Sequence, residues 1–388
     1  MIKSLLSAYS SMTGVVLLVS TGLTACSSGE GPGDVASTAT TADALAVRGG
    51  DDAFVPAKCA SHPTLLVNAS TWAPTGTSGV TTPGLGVSAT DVYFVVDTET
   101  ACSLPPPGTD AGGTSSGCGW TGNLRRVPVR GGPVTNVGTT YGEISEHLSV
   151  TSDDVVFGAA TDVGKQPTAS DTFLFRLPLA GGEATKITRT VGLPFEVVTD
   201  ATSAYFDDSR GVLSAPLAGG ASSLLSTVAA PSFVPLGDDL FLADYEGGEI
   251  LSVPLAGGDA VTVATHQSGP LYPLACGGAL CWMNAGVMTG TRAFEGFIEE
   301  ARKKSVTPLS VGESLFHPAG FVFDGTSFYS AGSVLARTPA AGGKAETFVS
   351  LGSPAGSLVQ DADCLYWSTT GGGIYSLAKS AVGPFSVE

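Results

Sequence analysis

Charge is scarce in this chain of 388 residues, and positive charge scarcest. Only 14% of the residues are charged, with 18 Lys and Arg against 35 Asp and Glu, a net charge of −17. Nucleic-acid binding needs Lys and Arg clustered against phosphate. The one basic cluster is Arg302-Lys303-Lys304, so the balance argues against a nucleic-acid partner. Periodicity of the helical kind does not persist anywhere between the apolar runs, which argues against a helical domain. The G-x-S-x-G elbow, the H-E-x-x-H helix and the phosphate-binding P-loop are missing, as are the CxxC and Cys/His spacings of a zinc site. The apolar run around Gly14-Val15-Val16-Leu17-Leu18-Val19 is too short to span a membrane.

Glycine and proline are plentiful, at 52 and 24, while 43% of residues are hydrophobic, enough for a large core. That mixture suits many short strands joined by tight turns. The glycines recur in a pattern: PLAGG ends at Gly181-Gly182, Gly219-Gly220 and Gly257-Gly258, with weaker copies VPVRGG and TPAAGG. Two degenerate copies place Arg302 and Ala378 where the proline would be. The markers at 128, 178, 216, 254, 302, 339 and 378 give a period near ~40, the mark of stacked units or propeller blades. A second element repeats before each turn, as DVYFVVD, DDVVFGA, TSAYFDD, DDLFLAD, ALCWMN, TSFYSAG and CLYWSTT. Each unit reads as four strands of four to six residues, the glycines supplying positive φ at a hairpin between the third and fourth. Proline before the turn suits a strand end, where no ladder N–H is lost.

Seven four-stranded antiparallel units predict an all-β, seven-bladed β-propeller. The blades fall at about 84–137, 148–190, 196–228, 233–265, 271–310, 319–350 and 356–388. A strand at 64–69, resembling the fourth strands, is expected to close the ring beside the C-terminal strands. With Leu365-Tyr366-Trp367-Ser368-Thr369 and the PLAGG turns, the pattern resembles secreted bacterial propellers of the YWTD and NHL-like group. Ser368 departs from the full YWTD motif.

Upstream, Leu23-Thr24-Ala25-Cys26 resembles a bacterial lipobox. The resemblance implies a signal peptide at 1–25 and lipidation of Cys26, with a Gly/Ser/Thr/Ala-rich tether at 26–53 before the propeller at 54–388. The expected address is the cell envelope, lipid-anchored, with the outer membrane favoured in a cell with two membranes because Ser27 is not Asp. Six cysteines then remain. Their places suggest Cys102–Cys118 across a Pro/Gly/Ser-rich stretch, Cys276–Cys281 across a hairpin and Cys59–Cys364 joining the ends of the fold.

Function is expected on the face formed by the blade-to-blade connections and the second-to-third-strand loops. Long insertions at 98–122, 161–170 and 284–294 share that face. Asp97, Asp207, Asp208 and Asp244 end second strands there, and Trp120 is the aromatic candidate for partner contact. The favoured function is a monomeric, surface-anchored binding or scaffolding propeller gripping a protein or glycan. No cofactor is required, calcium being the cation that clustered Asp oxygens would take. The alternative is a metal-dependent hydrolase or lyase using His147, His317 and Glu146 or Glu313 around the central channel.

Overall fold

The computed structural model describes residues 59–68, 84–99, 119–168, 170–285, 297–302, 305–309, 319–342, 345–370 and 373–387. Cys26, Cys102, Cys118, Glu313 and His317 lie outside these residues. The described chain is all-β and forms seven sheets, six of four strands and one of five. Within each blade consecutive strands pair antiparallel, as in Val197–Thr199, Ser203–Asp208, Gly211–Pro216 and Ser223–Ser226 of blade 3. The inner strands of blades 1 to 7 are Leu85–Val87, Ile144–Val150, Val197–Thr199, Ser232–Leu236, Pro270–Cys276, Gly320–Phe323 and Ala355–Gln360. Each lies against the next, and the seventh lies against the first, so the blades form a closed ring.

Antiparallel order gives the ring two different ends. First-to-second and third-to-fourth hairpins lie at one end, here called the turn end. Second-to-third loops and blade-to-blade connections lie at the other, the mouth end. The PLAGG sequences make one turn repeatedly. Gly181, Gly219 and Gly257 donate their N–H to the carbonyls of Pro178, Pro216 and Pro254 at 2.8–2.9 Å. Both glycines of each pair then take positive φ, for example +87° and +123° at Gly181 and Gly182, where a side chain would be strained. The residue after each proline extends the ladder instead of the proline itself: Leu179, Leu217 and Leu255 donate to Asp153, Thr202 and Asp238.

The first-to-second hairpins carry a second repeated device. Tyr205, Tyr329 and Tyr366 donate their hydroxyls to Asp200, Asp324 and Asp361 at 2.7, 3.0 and 2.8 Å. The other oxygen of each Asp accepts two backbone N–H groups of its own turn. Burial, reinforced by the Asp charge, pushes the Tyr329 hydroxyl up to about 12. In blade 5 the same two positions, five residues apart, are Cys276 and Cys281, and they form a disulfide. A covalent bond there replaces the hydrogen-bonded clamp.

Most second strands are sandwiched between blades and buried on both faces. Phe94, Phe157, Phe206, Trp282 and Trp367 are all fully buried, packing blade against blade. Between blades 2 and 3, for instance, Val156, Leu174 and Ile187 meet Val197, Ala204, Phe206 and Leu213.

Strand Thr64–Asn68 pairs antiparallel with Gly373–Ala378 and completes blade 7 from the N-terminal side. Cys59 is bonded to Cys364 at the turn end of that blade, closing a loop of 305 residues. The C-terminus differs from the sequence expectation. Residues 385–387 do not finish blade 7 but pair parallel with Glu346–Leu351 of blade 6, as its fifth strand. The reason is occupancy, because Thr64–Asn68 already fills the outer edge of blade 7. The outer strand of blade 1 is also later than the sequence suggested, at Thr135–Tyr141.

In the chain-entropy model a cross-link over so long a loop contributes up to about 5 kcal/mol, against about 2 kcal/mol for one spanning five residues. The Cys59→Ser/Cys364→Ser chain is therefore expected to lose clearly more stability in denaturant unfolding than Cys276→Ser/Cys281→Ser. Tyr205→Phe, which removes one hydrogen bond to a carboxylate, should cost about 1–2 kcal/mol.

Candidate functional site at the channel mouth

The mouth ends of blades 1, 2 and 3 bring together a set of ionisable groups. Asp97, at the end of the second strand of blade 1, is almost fully buried. Both its oxygens accept the N–H of Ile144, 3.3 Å away at the start of the next inner strand. Gly122 lies opposite because a Cβ there would fall 2.4 Å from an Asp97 oxygen. Asp207, on the second strand of blade 3, accepts the N–H groups of Phe195 and Glu196, which lead into that blade's own inner strand, at 2.8 and 2.7 Å. These carboxylates fasten the blade-to-blade connections, and the connections in turn aim the side chains that follow.

Two of those side chains meet. His147 Nδ1 lies 2.7 Å from Glu196 Oε2, and its ring packs on Phe195 with centroids 4.9 Å apart. The His147 side chain keeps 29% of its surface exposed although protein surrounds it, as expected of a group lining a channel. Burial alone would lower its affinity for a proton. Attraction to Glu196, the hydrogen bond to it, and the charges of Glu146 and Asp207 outweigh burial and raise the imidazole to about 9. His147 is therefore a cation at neutral pH and Glu196 its counter-ion.

Burial also raises Asp207, helped by the Glu196 charge and opposed by its two backbone donors, to about 6. Asp97 is raised well above the carboxylate range by burial, then by Glu143 and Glu146, against the Ile144 N–H. Tyr272, on the inner strand of blade 5, has its hydroxyl pushed up by burial and then by Glu196 and Glu146. Groups on blades 2, 3 and 5 thus act on one another electrostatically across the ring.

The remaining sequence candidates have local partners. Asp208 accepts the Val191 N–H at 2.9 Å and pairs with Arg210 at 2.6 Å. Asp244 accepts the Gly247 N–H within its own turn at 2.8 Å. His266, a further histidine in the connection from blade 4 to blade 5, sits at φ +61° with Nδ1 2.9 Å from the Thr265 hydroxyl. Trp120 is half-buried, and its backbone forms a bridge with Lys165, joining the described edge of the blade 1 insertion to that of blade 2. Glu146 is exposed beside His147. Among the described residues no three His, Cys, Asp or Glu side chains converge to hold a metal ion. Sequence reasoning missed Glu196 and Tyr272. Neither stands in a motif, and only the ring brings Glu196 beside His147 and Tyr272 within electrostatic reach of Glu196 and Glu146. Glu196 could have been noticed as a lone acid just before an inner strand.

The pH dependence of stability follows from these groups. The raised His147 contributes stability that is complete below about 6.5 and is lost as pH rises through about 9. Asp207 binds a proton more tightly folded than unfolded, so it adds stability as pH falls below about 6. The melting temperature is expected to decline between pH 6.5 and 9.5, and His147→Gln should remove at least half of that decline in scanning calorimetry.

No protein-family model matches the chain, and no curated protein matches it. Solved structures do. A catalytically inactive virginiamycin B lyase from Staphylococcus aureus with quinupristin superposes with a TM-score of 0.57 at 12% identity, covering 81% of this chain and 98% of the other. The WD40 propeller domain of Doa1 gives 0.56 at 8%, covering 82% and 97%. The extracellular domain of a hybrid two-component system from Bacteroides thetaiotaomicron gives 0.54 at 13%, covering 83% of this chain and 43% of that one. At such identities the likeness shows the fold alone, and that fold is a β-propeller.

Proposed function

We propose that this chain is a binding or scaffolding propeller of the cell envelope, lipid-anchored through Cys26, that takes a protein or glycan partner at its mouth end. The observation that carries the reading is that the ionisable groups of the mouth are engaged with one another and with loop backbone. His147 Nδ1 lies 2.7 Å from Glu196 Oε2. The neighbouring Asp97, Asp207 and Asp208 are likewise engaged in fastening loops. Such a face is built for shape, and exposed Glu146 on blade 2 and half-buried Trp120, bridged to Lys165, give a partner polar and aromatic footholds.

Location is supported by the two disulfides, which belong to an oxidising compartment. The chain joins the ring at the turn end, where Cys59 meets Cys364 and Ala60 accepts the Ala378 N–H at 2.9 Å.

Photo-crosslinking residues placed in living cells at Glu146 and, on a PLAGG turn, at Glu183 test the reading. Discrete adducts are expected from Glu146 and not from Glu183, and Cys26→Ala should shift the protein from membrane to soluble fractions. Adducts from Glu183 alone would contradict the proposal. So would a stoichiometric metal in the purified chain whose chelation lowers the melting temperature, which favours the metal-dependent hydrolase or lyase.

A further inference from the structure

The fifth strand of blade 6 is unlike every other pairing within the described sheets. It is parallel, three residues long, and comes from the end of the chain after blade 7 is complete. Phe385, Ser386 and Val387 register against Val349, Ser350 and Leu351. Phe385 meets Phe348 edge-on, with centroids 6.0 Å apart, and Phe348 and Val349 are both almost fully buried beside it. Gly383 lies so close to the edge that a Cβ would fall 2.8 Å from the Phe348 carbonyl oxygen. Just before it Val382 is 84% exposed, so the segment reaching the edge is itself only partly packed.

We propose that the outer edge of blade 6, Glu346–Leu351, is a docking edge for an extended peptide, and that the C-terminal strand occupies it in cis as a displaceable cover. The tail displays the chemistry that the edge accepts: an aromatic residue seated on Phe348, a small polar residue, then a β-branched one, running parallel. Strand addition of this kind draws affinity from main-chain hydrogen bonds and selectivity from alternate side chains. A three-residue strand forms few such bonds. It holds its place through an effective concentration in the millimolar range, set by its short link to blade 7. A partner strand therefore wins the edge by matching more of the six edge residues than the tail does. This surface is separate from the channel mouth and does not depend on the function proposed there.

The test uses a fluorescein-labelled peptide Gly-Pro-Phe-Ser-Val-Glu, the sequence of residues 383–388, added to the full chain and to its Phe385→Ala variant. The variant should bind it at least tenfold more tightly than the unaltered chain, and a peptide with Ala for Phe should not bind either. Hydrogen exchange should show those amides of 349–351 that face the tail strand, rather than Val334–Pro339, losing protection in Phe385→Ala and regaining it with peptide. If they stay protected in the variant, the measurements are repeated on a chain ending at Gly383. Amides still protected there, or exposed amides that bind no peptide, would overturn the proposal. Equal binding by the unaltered chain would also overturn it, because the peptide would then be using another surface.

Discussion

A closed ring depends on its last seam. Six of the seven blades take their first four strands consecutively, but blade 7 takes its outer strand from Thr64–Asn68, far upstream of its other three, which begin at Ala355. Until that strand pairs with Gly373–Ala378, the chain ends are unjoined. The seam is secured three ways: by the strand ladder, by the Cys59–Cys364 bond, and by the hydrogen bond from the Ala378 N–H to Ala60. Everything at the mouth end inherits its geometry from this closure. His147 faces Glu196 because blades 2 and 3 are held as neighbours in a ring of fixed circumference.

Each end of the ring then meets the same requirement, that buried polar backbone be satisfied, by different means. At the turn end, Asp carboxylates accept the turn's own N–H groups and a Tyr hydroxyl from the adjoining strand. Blade 5 substitutes a disulfide at the same offset. At the mouth end, Asp97 reaches across to the start of the following blade, and Asp207 holds the connection that brings the chain from blade 2 into its own blade. The first arrangement rigidifies single hairpins, while the second couples blades. Because the coupling carboxylates are desolvated and stand near other acids, they are also the groups whose protonation responds to mild changes in pH.

The turn sequences made the fold legible. PLAGG specifies a local geometry that any blade needs, so its spacing counted the units without long-range information. The aromatic second strands were equally readable, since each is a short aromatic and β-branched run that recurs before the turn. Thr64–Asn68 could be recognised because it resembles the other outer strands. The destination of residues 385–387 was not legible, since it depends on which edge is vacant once the ring has closed. The site was less legible still. Asp97 and Asp207 look like surface ligands when only their position at a strand end is known, and the structure instead places backbone N–H groups of the blade-to-blade connections against them. Glu196 and Tyr272 acquire meaning only through proximity across the ring.

The account of the mouth turns on one proton. A second imidazole proton held by Glu196 makes His147 a structural cation; its loss would make the same residue a base or a metal ligand. Nitrogen NMR of the labelled full chain reads this directly. The account predicts that both His147 ring nitrogens carry protons at pH 7, with a midpoint near about 9 that falls toward the ordinary histidine value in Glu196→Gln. A neutral ring at pH 7, titrating near 6.5 or shifted by added divalent metal, would contradict it.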